Sequence, residues 1–175
     1  MKSGLIHIYA GDGKGKTTTA TGLSTRATGS GKKVLFTQFL KNQQTGELKA
    51  FENLPGIKVM RAEAMSKFVW DMTEDELDHM RVSNNEFFGA ACSEACEGSY
   101  DLLVLDEALG ACYAGLLDES AVLAFLREKP EGLEVVLTGR NPSDELIEIA
   151  DYVSEIKKIK HPFDSGVKAR KGIEY

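Results

Sequence analysis

The chain has 175 residues, a net charge of −6 and a pI near 5.2, with 42% apolar and 27% charged residues. That is the composition of an ordinary globular protein, read here as a single domain over 1–175. It argues against broad binding to nucleic acid or to an anionic membrane surface. No apolar run approaches the roughly 18 residues that span a bilayer, and three cysteines without a paired framework suit a reducing, cytoplasmic compartment.

Taken in chain order, strands alternate with helices. "GLIHIYAG" reads as a first strand and not as a signal peptide, because it is short and runs straight into a glycine-rich stretch. Residues 16–29 read as a helix closed by glycine. "KVLFTQFL" is unbroken in its apolar character, as expected of a strand covered on both faces. A short helix is expected over 45–54, ahead of Pro55-Gly56, and then a third strand in "IKVMRA". Residues 73–98 form a long helical stretch whose opening "TEDE" carries a capping-box pattern, Thr73 with Glu76. On it Cys92 and Cys96 stand four apart; with no further ligand nearby, buried or half-buried thiols are favoured over a metal or redox pair. "YDLLVLDE", a helix over 118–128, "LEVVLTG", a helix over 143–150 and "YVSEIKKI" complete the chain. This alternation predicts an α/β fold, a mostly parallel sheet with helices on both faces.

The densest chemical signal is "AGDGKGKTTTATG", Ala10–Gly22. A strand ends, a glycine loop follows and a helix begins, so backbone N–H groups and the positive end of the helix dipole converge on one point. Gly11, Asp12, Gly13, Lys14, Gly15, Lys16, Thr17 and Thr18 are the candidate phosphate-binding residues. Lys16 reaches phosphate oxygens, and the Thr17 hydroxyl suits Mg²⁺. The usual pattern opens on glycine; Ala10 stands there instead, with Gly11 and Gly13 still freeing the loop. "LLVLDEA" ends an apolar strand in Asp106 and Glu107, candidates to hold the metal directly or through water. "LTGRN" brings Arg140 to the same edge, toward phosphate or ribose. These features place the fold in the RecA-like P-loop NTPase class. They leave the reaction open between hydrolysis, kinase chemistry and plain nucleotide sensing. None of those three gives a role to Phe68 and Trp70 in "SKFVWDM", which either pack on the sheet or line a large flat ligand.

Almost end to end, the chain resembles the P-loop type of corrinoid adenosyltransferase. The resemblance rests on "GDGKGKTT" at 11–18, "VLFTQFLK" at 34–41, "FVW" at 68–70, "LLVLDE" at 102–107, "TGR" at 138–140 and the tail "IKHPFDSGVKARKGIEY" at 159–175. It implies transfer of the 5′-deoxyadenosyl group of ATP to the Co(I) of a corrinoid, with release of triphosphate, and ATP running reversed along the loop. By position, 11–18 would wrap the triphosphate and Lys16 would neutralise it. Thr17 and Glu107 would hold Mg²⁺ (or Mn²⁺), with Asp106 behind them, and Arg140 would contact phosphate or ribose. Phe68 and Trp70 would press on the corrinoid and displace the lower ligand of Co(II), so that a flavoprotein reductant can deliver the electron. His161 is expected to be structural and not a cobalt ligand. The resemblance also implies a homodimer. A longer N-terminal extension of some relatives has no counterpart here, so no cover for the site is expected from one.

Overall fold

A computed structural model describes residues 4–41, 45–65, 67 and 69–175. Its centre is a six-stranded, wholly parallel sheet: β1 (Ile6–Ala10), β2 (Val34–Gln38), β3 (Ile57–Arg61), β4 (Leu102–Asp106), β5 (Glu134–Gly139) and β6 (Tyr152–Glu155), in the order β3-β2-β4-β5-β1-β6. The helices are α1 (Lys16–Gly29), α2 (Gly46–Phe51), α3 (Glu74–Glu97), α4 (Ala108–Tyr113), α5 (Glu119–Glu128) and α6 (Asp144–Ile149).

Strand periodicity decides which face each side chain serves. Leu35, Leu103, Val135 and Ile6 lie in one register row and face a core shared with Phe88 of α3, Leu109 of α4, Val122, Leu123 and Leu126 of α5, and Leu146 of α6. The next row, Phe36, Val104 and Val136, turns to the opposite face and packs with Ala20 and Ala27 of α1 and Phe51 of α2. All five residues of β2 and of β4 are buried, which is why their sequences show no polar alternation.

Local signals set most boundaries. Thr73 accepts from the Glu76 N–H while Glu76 returns to the Thr73 N–H, the expected capping box. Asp118 and Ser143 cap α5 and α6 through Ser120 N–H and Leu146 N–H. α4 was not expected: it starts directly behind β4 without a capping side chain, on a left-handed Glu107 (φ 62°). β2 and β6 are shorter than the apolar runs containing them, ending at Gln38 and Glu155. Among the described residues no helix is long and apolar enough to cross a membrane.

β5 reaches the active edge past α4 through Gly139, whose φ is +145°, and a Cβ there would lie 2.6 Å from Gly110 N and 2.8 Å from Leu109 Cβ. Gly139→Ala is therefore expected to lower unfolding free energy by about 2 kcal/mol or more. Urea denaturation checks this; an unchanged midpoint would refute the close approach.

Candidate functional site

Because all six strands are parallel, Ala10, Gln38, Asp106 and Gly139 end on one edge. The chain leaves β1 through Gly11 (φ 124°) and enters α1 through Gly15 (φ 124°), conformations that bare backbone tolerates. Gly11 and Gly13 are also required by a neighbour: an added Cβ would lie 2.4 Å and 2.7 Å, respectively, from the Ile156 carbonyl oxygen. That carbonyl accepts the Gly13 N–H at 2.8 Å, and Asp12 Oδ1 accepts the Lys158 N–H at 2.9 Å. The segment behind β6 thus braces the loop. Lys16, the first residue of α1, is buried and its Nζ donates to the Gly13 carbonyl at 2.9 Å. Burial pulls its pKa down, against the attraction of Glu107. Lys14 and Thr18 complete the loop, Lys14 exposed and Thr18 exposed on the first turn of α1.

Asp106 organises the other wall. It follows Leu102 and Val104 by the strand period of two, so it points to the α1 face, and it is fully buried. Its Oδ1 accepts from Thr17 Oγ1 at 2.9 Å and from Thr138 Oγ1 at 2.6 Å. Its Oδ2 faces Gln38 Nε2 at 3.5 Å and Lys41 Nζ at 3.7 Å. Thr138 also accepts the Glu107 N–H at 3.0 Å, which fixes the left-handed turn. The Glu107 carboxyl is pushed above the usual range by burial, with Asp106 adding to the effect and Lys41, Lys16 and Arg140 opposing it.

The structure thus brings together Lys16, Thr17, Asp106 and Glu107, and joins Thr17 directly to Asp106. Three further residues belong to this wall that sequence reasoning did not single out: Gln38, Lys41 and Thr138. Gln38 pairs with Asp106 in register, so strand parity would have found it. Arg140 is exposed and lines a cavity of about 520 Å³ with Gly11, Asp12, Lys157 and Lys158. His161 Nδ1 accepts the Phe163 N–H at 3.1 Å and caps the turn Pro162–Ser165, the structural role expected of it. Trp70 lies on the turn Val69–Asp71 behind β3 and is 79% exposed, so it is not core; Phe68 lies outside the described residues. Cys92 is half-buried, and burial pushes its thiol up to about 12, the state of an unreactive thiol; Cys96 is exposed, against the expectation for both.

Oxygen donors dominate where Mg²⁺ is expected: Thr17 Oγ1, two carboxylates, and Gln38 Oε1, which is buried without a hydrogen-bond partner. That donor set suits a hard divalent cation. Among the described residues no three His, Cys, Asp or Glu side chains gather as a metal cluster.

Thr138→Val is expected to remove one of the two donors to Asp106 Oδ1 and to leave the Glu107 N–H without its acceptor, costing about 1–3 kcal/mol and most of the activity. Thr138→Ser should retain both. Equal stability and turnover in wild type and Thr138→Val would remove this network from the site.

Comparison with known proteins agrees with the geometry. The family ATP:corrinoid adenosyltransferase BtuR/CobO/CobP matches residues 2–175. The chain is 37% identical over 174 residues to a corrinoid adenosyltransferase of Escherichia coli (strain K12), covering 98% of this chain and 86% of that one. It is 34% identical to one from Pseudomonas aeruginosa, covering 98% and 84%. A corrinoid adenosyltransferase CobA of Salmonella typhimurium is also 34% identical, covering 98% and 86%. In structure the chain is similar to EssC (ATPases 2 and 3) from Geobacillus thermodenitrificans, with a TM-score of 0.52 at 14% identity, covering 97% of this chain and 35% of that one. That likeness concerns the fold alone and agrees with the RecA-like P-loop class. Matched over its whole length but for the first residue, the chain belongs to the ATP:corrinoid adenosyltransferase BtuR/CobO/CobP family.

Proposed function

We propose that residues 1–175 act as one unit that transfers the 5′-deoxyadenosyl group of ATP to the Co(I) centre of a corrinoid, with loop 11–18 as the triphosphate cradle. The observation that carries this reading is the meeting of Lys16, Thr17 and the buried Asp106 at one sheet edge, in a chain of this family. The substrate cobalt donates its electron pair to C5′, the C5′–O bond breaks, and that pair leaves with triphosphate. Co(I) is a strong nucleophile and needs no general base. What remains for the protein is to hold a growing negative charge. Lys16 leaves its loop carbonyl and neutralises the triphosphate, while the loop N–H groups and the α1 N-terminus wrap it. Arg140 contacts phosphate or ribose from the cavity beside Asp12. Thr17, Asp106 and Glu107 would hold Mg²⁺, which when bound supplies further charge neutralisation to the leaving group.

The exposed Trp70, with Phe68, presses on the corrinoid and favours loss of the lower cobalt ligand. A flavoprotein reductant for Co(II) and a homodimer belong to the same reading and rest on the family resemblance, and a cytoplasmic site rests on the three cysteines without a paired framework.

The direct test mixes the protein with ATP, Mg²⁺ and chemically reduced cobalamin. A light-sensitive Co–C product with one triphosphate each supports the reading; ADP with phosphate would make the chain a plain ATPase or kinase. Lys16→Ala should cost roughly 10- to 150-fold in turnover, the worth of one charge-assisted contact; near wild-type turnover at saturating ATP would contradict its role. Trp70→Ala should fail mainly when the assay starts from Co(II) with a biological reductant, and recover when Co(I) is supplied. Equal fractional losses in the two assays would mean that Trp70 has no part in the reduction step.

A further inference from the structure

The tail behind β6 meets the phosphate loop at its start and shares a cavity with it at its end. At its start, Ile156 and Lys158 brace Gly13 and Asp12. At its end, residues 172–175 wall a cavity of about 250 Å³ that Thr17, Thr18, Thr21 and Lys41 also line. On the α1 side the lining offers donors to an anion: two hydroxyls from the first turn of the 14-residue α1, the Lys41 ammonium, and Thr21 Oγ1, a buried hydroxyl without a hydrogen-bond partner. Two carboxylates line it as well: Glu47, which accepts from Gln38 Nε2 at 3.0 Å and Thr45 Oγ1 at 2.6 Å, and Glu174.

The end of the tail is built as a rigid turn. Glu174 accepts from the Arg170 N–H at 2.8 Å, from Nε at 3.2 Å and from Nη2 at 3.0 Å, a fork-on-carboxylate grip with a backbone bond added. The Gly172 N–H closes on the Tyr175 carbonyl at 2.7 Å, and Gly172 has φ +78°. The Glu174 side chain is 19% exposed, and Tyr175 is half-buried beside Gly46 of α2. A carboxylate beside a polyphosphate would repel it, and Arg170 offsets that repulsion by neutralising Glu174 where the turn meets the cavity.

We propose that the C-terminal turn 170–175 is a wall of the polyphosphate site, and that Arg170 is its positioning residue, seating Tyr175 against α2 and closing the cavity over Thr17 and Thr18. This rests on the reading of loop 11–18 as the triphosphate cradle. Arg170 touches no reacting atom; it acts through Glu174.

The test is calorimetric titration of inorganic triphosphate, with Mg²⁺, into the full-length wild type, Arg170→Ala, Arg170→Lys and a variant lacking Glu174 and Tyr175. Arg170→Ala and the truncation should each weaken triphosphate binding roughly fivefold, the size of one modest hydrogen-bonded contact. The melting temperature should hold within about 2 °C, since an exposed turn carries little of the core. Arg170→Lys should recover part of the loss, because it restores the charge without the fork. If Arg170→Ala lowers the melting temperature further, the truncation decides alone. Unchanged triphosphate affinity in the truncated protein would overturn the proposal. Wild type that binds triphosphate but forms no adenosylcorrinoid would overturn the function and leave the wall standing.

Discussion

A carboxylate with no exposed surface must be satisfied by the protein around it, and at Asp106 that requirement ties the site together. One oxygen accepts from Thr17, on the first turn of α1, and from Thr138, near the end of β5. The other faces Gln38 at the end of β2 and Lys41 just beyond it. Three adjacent strands and the phosphate loop are therefore fixed to each other by one side chain. A site of this kind must hold its donors in position before charge develops, and rigid anchoring supplies that.

The same economy governs the glycines. Gly13 and Gly139 are confined by close backbone neighbours, Ile156 and Gly110 respectively, and not merely by turn geometry. The phosphate loop is thus braced from outside by the tail, and β5 is admitted to the active edge because α4 packs directly on its last residue. Loop, strand ends and tail form one connected wall, with the exposed Arg140 beside Asp12 on it.

Much of this was legible in the sequence because the physics is local. Fully covered parallel strands read as unbroken apolar runs, and a glycine-lysine-threonine stretch between strand and helix seldom arises without a phosphate to bind. The Thr73–Glu76 box marked the start of α3 to the residue. What was not legible depends on neighbours. α4 has no capping side chain and begins on a left-handed glutamate, so no local pattern announced it. Gln38, Lys41 and Thr138 acquire a role only once β2, β4 and β5 are known to lie side by side. The residues alone left Asp106 and Glu107 as equal candidates, and only the resemblance paired Thr17 with Glu107; in the folded chain strand parity turns Asp106 toward Thr17, and Glu107 stands at the left-handed turn. The tail was marked by its resemblance, while its bonds to the loop through Ile156 and Lys158, and the cavity that its end shares with Thr17 and Thr18, depend on a return of the chain that no periodicity encodes.

The claim on which all of this depends is that Asp106 couples the phosphate loop to β5. The most direct measurement is a double-mutant cycle between Thr17→Val and Thr138→Val, read by urea unfolding of the ligand-free protein. Both hydroxyls donate to the same Asp106 oxygen, so the two losses should fail to add by more than about 0.5 kcal/mol. Losses additive within about 0.3 kcal/mol would mean that the two hydroxyls act independently, and that Asp106 does not join them.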